Sequence, residues 1–218
     1  MNRSKICIIN YGVGNLLNVS NAFNHLGYEA FVTDNEKKIL SSTHIVLPGV
    51  GSFESGMNGI NNNGLRQIIY KAVKNKIPFL GICLGMQLLM DQSDEFGEHQ
   101  GLGLIPGKVE FIKKNKNYKK NIKLPIIGWN KIFINSNNFL LNNEEMLTNK
   151  MYYFVHSYMA VPENNKHVNY YMNYNNIKIP AIISNNNICG IQFHPEKSGK
   201  LGINLLDNFI KNFNNIRL

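Results

Sequence analysis

Hydrophobic positions in the first eighty residues fall into short blocks separated by longer stretches with a helical period. Residues 6–9, 30–32 and 44–47 are compact strand-like runs, and 16–26 carries its apolar residues at helical spacing. That alternation predicts βα units and a parallel sheet. Leu65, Ile68, Ile69, Ala72 and Val73 recur at i, i+3 and i+4, and Pro78-Phe79-Leu80-Gly81-Ile82 then reads as a buried central strand closing another βα unit. Beyond Lys108 the pattern changes to successive strand-like segments at 109–112, 126–129, 151–158, 170–174, 179–184 and 188–193, expected to extend the sheet as antiparallel additions. Leu201, Leu205, Leu206, Phe209 and Ile210 predict a closing helix whose apolar face lies on the sheet. The expected class is α/β, with a central, mostly parallel sheet. Neither an internal repeat nor a separating linker is visible, so residues 1–218 are expected to form one domain.

Composition narrows the picture modestly. With 218 residues, 44% of them hydrophobic, the chain has enough apolar side chains for a substantial core. A formal charge of +9 permits an acidic partner, but charged residues are only 17% of the chain, and nucleic-acid binding needs a focused basic patch. The densest basic stretch, Lys113-Lys114-Asn115-Lys116-Asn117-Tyr118-Lys119-Lys120, has no apolar period and reads as a solvated loop between strands, with no nucleic-acid role. Asn61-Asn62-Asn63 and Asn185-Asn186-Asn187 fall between hydrophobic runs and read as turns. Three cysteines, Cys7, Cys83 and Cys189, cannot all pair internally, which suits a reducing cytoplasm. The apolar run near the N-terminus is shorter than the roughly 7–15 residues of a signal-peptide core. No run approaches the roughly 18 apolar residues of a membrane span. A cytoplasmic protein that does not enter a membrane is expected.

Three segments carry candidate chemistry. In Gly81-Ile82-Cys83-Leu84-Gly85-Met86-Gln87 a hydrophobic strand runs into a helix through a cysteine flanked by glycines, the spacing of a nucleophile elbow with Cys in the place of Ser. A tight turn there would aim backbone N–H groups and the positive end of the helix at the sulfur and favour a reactive thiolate. A cysteine nucleophile needs a base, and the base an orienting group. Gln192-Phe193-His194-Pro195-Glu196 supplies both: His194 ends an apolar strand, at the sheet edge where α/β proteins bind ligands, and Glu196 is two residues on. In Leu47-Pro48-Gly49-Val50-Gly51, also following a strand, glycines free the backbone to turn N–H groups toward an oxyanion, a role that the amide of Leu84 can share. Alone, each segment has an ordinary reading: a core thiol, a satisfied surface histidine, a strand-to-helix turn.

Together the three segments resemble the class I glutamine amidotransferases, over nearly the whole chain. The resemblance implies a flavodoxin-like sheet with helices on both faces, no metal or organic cofactor, and hydrolysis of L-glutamine by Cys83, His194 and Glu196, with Gly49, Val50, Gly51 and Leu84 at the oxyanion hole. Tyr11-Gly12-Val13-Gly14-Asn15-Leu16, Gly101-Leu102-Gly103-Leu104-Ile105-Pro106-Gly107, Gly128-Trp129-Asn130 and Phe154-Val155-His156-Ser157-Tyr158 are similar to the glutaminase-subunit family of imidazole glycerol phosphate synthases. That similarity implies a glutamine pocket at Gly51, Gln87, Glu95, Ser157 and Tyr158. It implies a heterodimer with a (β/α)8-barrel cyclase that takes up the ammonia in histidine biosynthesis, and it places Asn15, Trp129 and Lys197 near the interface. One departure stands out: the family's Pro-His-Met-Gly-Trp-Asn is Pro125-Ile126-Ile127-Gly128-Trp129-Asn130 here, an aliphatic group for an imidazole. Related subunits feed amidination of bacterial surface sugars, and Lys178-Ile179-Pro180-Ala181-Ile182 is similar to theirs, so that acceptor is the near alternative. A stand-alone cysteine hydrolase and a catalytically silent binding module are the more distant ones.

Overall fold

The computed structural model describes residues 4–120, 122–135 and 147–213; residues 1–3, the start of the N-terminal stretch read above, lie outside them. Thirteen strands are described: β1 (Lys5–Ile9), β2 (Glu29–Thr33), β3 (His44–Gly49), β4 (Phe79–Cys83), β5 (Gln92–Ser93), β6 (His99–Gln100), β7 (Gly107–Phe111), β8 (Ile126–Ile134), β9 (Met151–His156), β10 (Tyr158–Pro162), β11 (Val168–Tyr174), β12 (Ile177–Asn185) and β13 (Ile188–Ile191). The helices are α1 (Leu16–His25), α2 (Glu36–Leu40), α3 (Phe53–Asn62), α4 (Leu65–Lys74), α5 (Leu84–Leu88) and α6 (Gly199–Phe213).

Nine strands form one sheet in the order β2-β1-β3-β4-β13-β12-β11-β8-β9. Pairings from β2 to β13 are parallel and those from β13 to β9 antiparallel, so the antiparallel additions are as extensive as the parallel core. Strands β1, β3 and β4 read as unbroken apolar runs because both faces are covered. Ile6, Ile8, Val46, Leu80 and Ile82 pack on one side, with Val19 and Phe23 of α1 and Leu205, Leu206, Phe209 and Ile210 of α6. Cys7, Ile9, Ile45, Leu47 and Phe79 pack on the other, with apolar residues of α2, α3, α4 and α5. Each fully buried large aliphatic or aromatic side chain contributes roughly 1.5–3 kcal/mol, which the helices collect by closing both faces.

Two expectations are corrected. The 109–112 run does not join the central sheet: β7 belongs to a second, four-stranded sheet ordered β10-β7-β5-β6. The 151–158 run is two strands, broken at Ser157, with β9 paired to β8 and β10 to β7. Local alternation looks the same on both sides of the break, so only the partners reveal it. The break matters because it sets Ser157 and Tyr158 where the two sheets meet. The 113–120 run is a loop, as expected. It opens on the 3-10 turn Ile112–Lys114, and Tyr118 anchors it by donating its hydroxyl to the Ile122 carbonyl at 3.1 Å. Among the described residues no helix is long and apolar enough to cross a membrane.

Candidate active site

Cys83 ends β4 and stands immediately before α5 with φ +54° and ψ −110°. A non-glycine residue held there costs on the order of 1–3 kcal/mol, strain that persists only where the surroundings enforce it. Enforcement comes from Gly85: a Cβ on it would collide with the main-chain oxygen of Leu47 on β3, so α5 packs against the sheet more closely than any side chain allows. The sulfur is thereby aimed off the C-terminal edge of the parallel strands, where such sheets bind ligands. Cys83 is 7% exposed.

His194 follows β13, and its main-chain N–H donates to the Tyr153 carbonyl at 2.9 Å. Ser198 fixes the same turn, donating its hydroxyl to the His194 carbonyl at 2.7 Å while accepting from the Tyr153 N–H at 3.0 Å. The imidazole Nδ1 meets Glu196 Oε1 at 2.8 Å, with both side chains almost wholly buried. Among the described residues Nε2 has no hydrogen-bond partner, and it is the nitrogen left for the sulfur and for a ligand. Burial on its own would depress this imidazole, but its interactions with the Cys83 sulfur and the Glu196 carboxylate outweigh that and push it up to about 10. The site therefore favours a charged imidazolium beside the sulfur at neutral pH.

One cavity of about 180 Å³ opens over these groups, lined by Val50, Gly51, Cys83, Leu84, Gln87, Glu95, Val155, His156, Ser157, Tyr158 and His194. Its size suits an amino-acid-sized ligand better than the roughly 300–1,000 Å³ of drug-sized pockets. The residues expected from the sequence at the nucleophile, the base and the glutamine pocket are brought together here. Gly51 has φ +101°, a conformation that suits glycine, and leads from β3 into α3. Gly49 does not line the cavity; it lies in β3, paired with Cys83. Glu95, on the turn between β5 and β6, accepts from the Phe53 N–H at 2.5 Å, tying that turn to the start of α3, and burial raises its carboxyl above the usual range. Asn15 precedes α1, Trp129 is half exposed on β8 and Lys197 is exposed in the 3-10 turn Pro195–Lys197; none of the three lines the cavity. Among the described residues no three His, Cys, Asp or Glu side chains are grouped as a metal site.

Sequence reasoning passed over two residues. His156 lines the cavity, with Nδ1 at 2.7 Å from the Tyr158 carbonyl across the strand break. A carbonyl only accepts, so Nδ1 carries the proton and Nε2 is a bare acceptor. Burial, helped by the neighbouring His194 charge, holds His156 down to about 4, so it is neutral where His194 is charged. The period of two in β9 signals it, because His156 shares the inward face with Tyr152 and Phe154. Gln192, fully buried, sits two residues before His194, and its side-chain N–H reaches toward Cys83 Sγ at 3.8 Å. The departure at Ile126 is also placed: it is buried and pairs across the ladder with His156, whereas Ile127 faces outward and is 64% exposed.

A doubly covered α/β sheet with a cysteine elbow and a buried His–carboxylate pair at its edge defines a class, and a Glutamine amidotransferase class-I family model matches residues 7–213. Imidazole glycerol phosphate synthase subunit HisH 1 of Legionella pneumophila (strain Lens) is 39% identical over 213 residues, covering 95% of this chain and 99% of that protein. Subunit HisH 2 of Methanococcus maripaludis is 42% identical over 208 residues, covering 94% and 98%. The chain belongs to the class I glutamine amidotransferases and, within them, to the HisH family. Solved structures agree on the fold: PurLQS from Thermotoga maritima superposes with a TM-score of 0.71 at 18% identity, covering 99% of this chain and all of that one. A glutamine amidotransferase from the same organism gives 0.63 at 16%, covering 99% and 84%.

Proposed function

We propose that this chain is the glutaminase subunit of an imidazole glycerol phosphate synthase and that Cys83, His194 and Glu196 perform the hydrolysis. The observation that carries the proposal is the buried 2.8 Å contact between Glu196 and His194, which lines one cavity with a strained Cys83. Cys83 Sγ, as thiolate, attacks the side-chain amide carbon of L-glutamine and the carbonyl electrons move onto oxygen. The oxyanion is met by main-chain N–H groups of the Gly49-Val50-Gly51 segment and of Leu84, a type of stabilisation worth about 3 kcal/mol per donor. Collapse expels the amide nitrogen, which takes the Nε2 proton of His194 and leaves as ammonia. His194 then removes a proton from water as it attacks the thioester, releasing glutamate and restoring the thiolate. Glu196 keeps Nδ1 protonated and the ring oriented throughout. The chemistry needs no metal or organic cofactor.

The ammonia passes to a (β/α)8-barrel cyclase subunit bound as a heterodimer in the cytoplasm, with Asn15, Trp129 and Lys197 at the contact. Glycine on either side of Val50 lets one peptide hold two orientations, so the isolated chain turns over slowly until partner and acceptor align it. The test is steady-state glutamate release by the chain alone, by the complex and by the complex with the ribulosyl nucleotide acceptor. Rates should rise in that order, about a hundredfold overall if one oxyanion donor is aligned. Equal rates reject gating. Glutamine turnover by Cys83→Ser rejects the nucleophile, and stimulation by a nucleotide-sugar acceptor instead would move the chain to the surface-sugar reaction.

A further inference from the structure

A chain of buried amides ends at the sulfur, and the proposed hydrolysis above makes no use of it. Gln87 Nε2 donates to the Tyr158 carbonyl at 3.2 Å and to Gln192 Oε1 at 3.1 Å, and Gln192 Nε2 lies 3.8 Å from Cys83 Sγ. The direction of this relay follows from its far end. A main-chain carbonyl can only accept, so Gln87 must present its NH2 group there, and the same nitrogen then faces Gln192. Gln192 must answer with its oxygen, which leaves its own NH2 group toward the sulfur. Its main chain is fixed as well, because the Gln192 N–H donates to the Ala181 carbonyl of β12 at 2.9 Å. The side chain is wholly buried, so bulk solvent does not reach the donor.

We propose that Gln192 is a second donor to Cys83, a neutral one, which stabilises the thiolate and points its lone pairs into the cavity; the proposal rests on Cys83 being the nucleophile. A buried thiolate loses its hydration, and a single imidazolium cannot replace a hydration shell. His194 must also give its proton to ammonia while the sulfur is held in the thioester, and regain one from water as the thiolate is released. An uncharged amide has no proton to transfer and remains a donor at every step. It also cannot protonate the sulfur, as a second cation in its place would. Gln87 is thereby given a fixed polarity: both of its N–H groups are engaged inside the fold, so it offers a ligand only its carbonyl oxygen.

The bland alternative is that Gln192 merely pins β12 and α5 together, which predicts lost stability and unaltered sulfur chemistry. The two are separated by the pH–rate profile of Cys83 alkylation by iodoacetamide, measured on the full-length chain, with the reactive site confirmed by its disappearance in Cys83→Ser. Cys7 and Cys189 are fully buried and provide an internal silent background. Gln192→Leu deletes the donor; Gln192→Glu keeps the shape but sets an acceptor against the sulfur. Losing a hydrogen bond to a charged group should slow alkylation at pH 7 about tenfold in Gln192→Leu, and the rate should reach half its plateau at higher pH in both variants. Cooperative denaturation of each variant establishes that it is folded. Folded variants with the wild-type profile would overturn the role of Gln192 alone, whereas glutamine turnover by Cys83→Ser would overturn the active-site reading beneath it.

Discussion

Replacing Glu196 by Gln preserves shape while removing the charge that faces Nδ1 of His194 at 2.8 Å. In the folded wild type His194 is pushed from 6.5 to about 10, so the folded state holds a proton that the unfolded chain releases above pH 6.5. The sign follows: the imidazolium contributes its full stabilisation below pH 6.5 and loses it as pH rises through about 10. A shift of that size corresponds to about 5 kcal/mol as an upper bound. The Cys83 sulfur is the larger contributor and the Glu196 carboxylate the next, so the carboxylate accounts for at most roughly 2 kcal/mol. Urea denaturation of both proteins from pH 6 to 10.5 measures this, and comparing the two cancels the lysines and tyrosines that titrate in the same range. The wild type should lead by up to roughly 2 kcal/mol at pH 7, and the lead should close above pH 9. In parallel, kcat/KM for glutamine in the complex should fall about tenfold to hundredfold, the range for one charge-assisted hydrogen bond. A stability gap equal at pH 7 and pH 10.5 would refute the reasoning, because a contact that does not depend on the imidazolium has no reason to titrate with it.

Gly85→Ala should destabilise the chain by about 3 kcal/mol or more, since the new methyl meets the main chain of β3. Gly56→Ala meets only the flexible ends of Leu88 and Leu84 at 3.0–3.2 Å in a helix and should cost far less, so equal shifts in denaturation midpoint would contradict the packing argument. Trp129→Ala removes a half-exposed ring that makes an edge contact with Tyr153 at 6.2 Å; it should change stability by less than about 1 kcal/mol yet weaken binding of the proposed barrel partner at least tenfold by calorimetric titration. Unchanged affinity would take Trp129 out of the contact.

Much of the parallel half was legible because its signals are local. A strand covered on both faces is an apolar run wherever it occurs, and glycines on either side of Cys83 mark a turn that other residues resist. The sequence by itself determined the elbow, the His194-Glu196 pairing two residues apart and the βα order. Alternation cannot say which strand lies beside which, so the sequence could not show that 151–158 divides between two sheets or that β7 leaves the central one. That division brings Ser157, Tyr158 and the Glu95 turn to the cavity, and the same strand pairing sets Ile126 opposite His156. Gln192 was passed over for a related reason. A polar residue in an apolar run has no meaning until its neighbours are known, and those neighbours, Gln87 and Cys83, are more than a hundred residues away along the chain. Hydrogen bonds to carbonyls are equally silent in a sequence. Only the tertiary arrangement, in which a carbonyl at Tyr158 can accept and never donate, decides that His156 is a bare acceptor and that the amide of Gln192 presents an N–H to the sulfur.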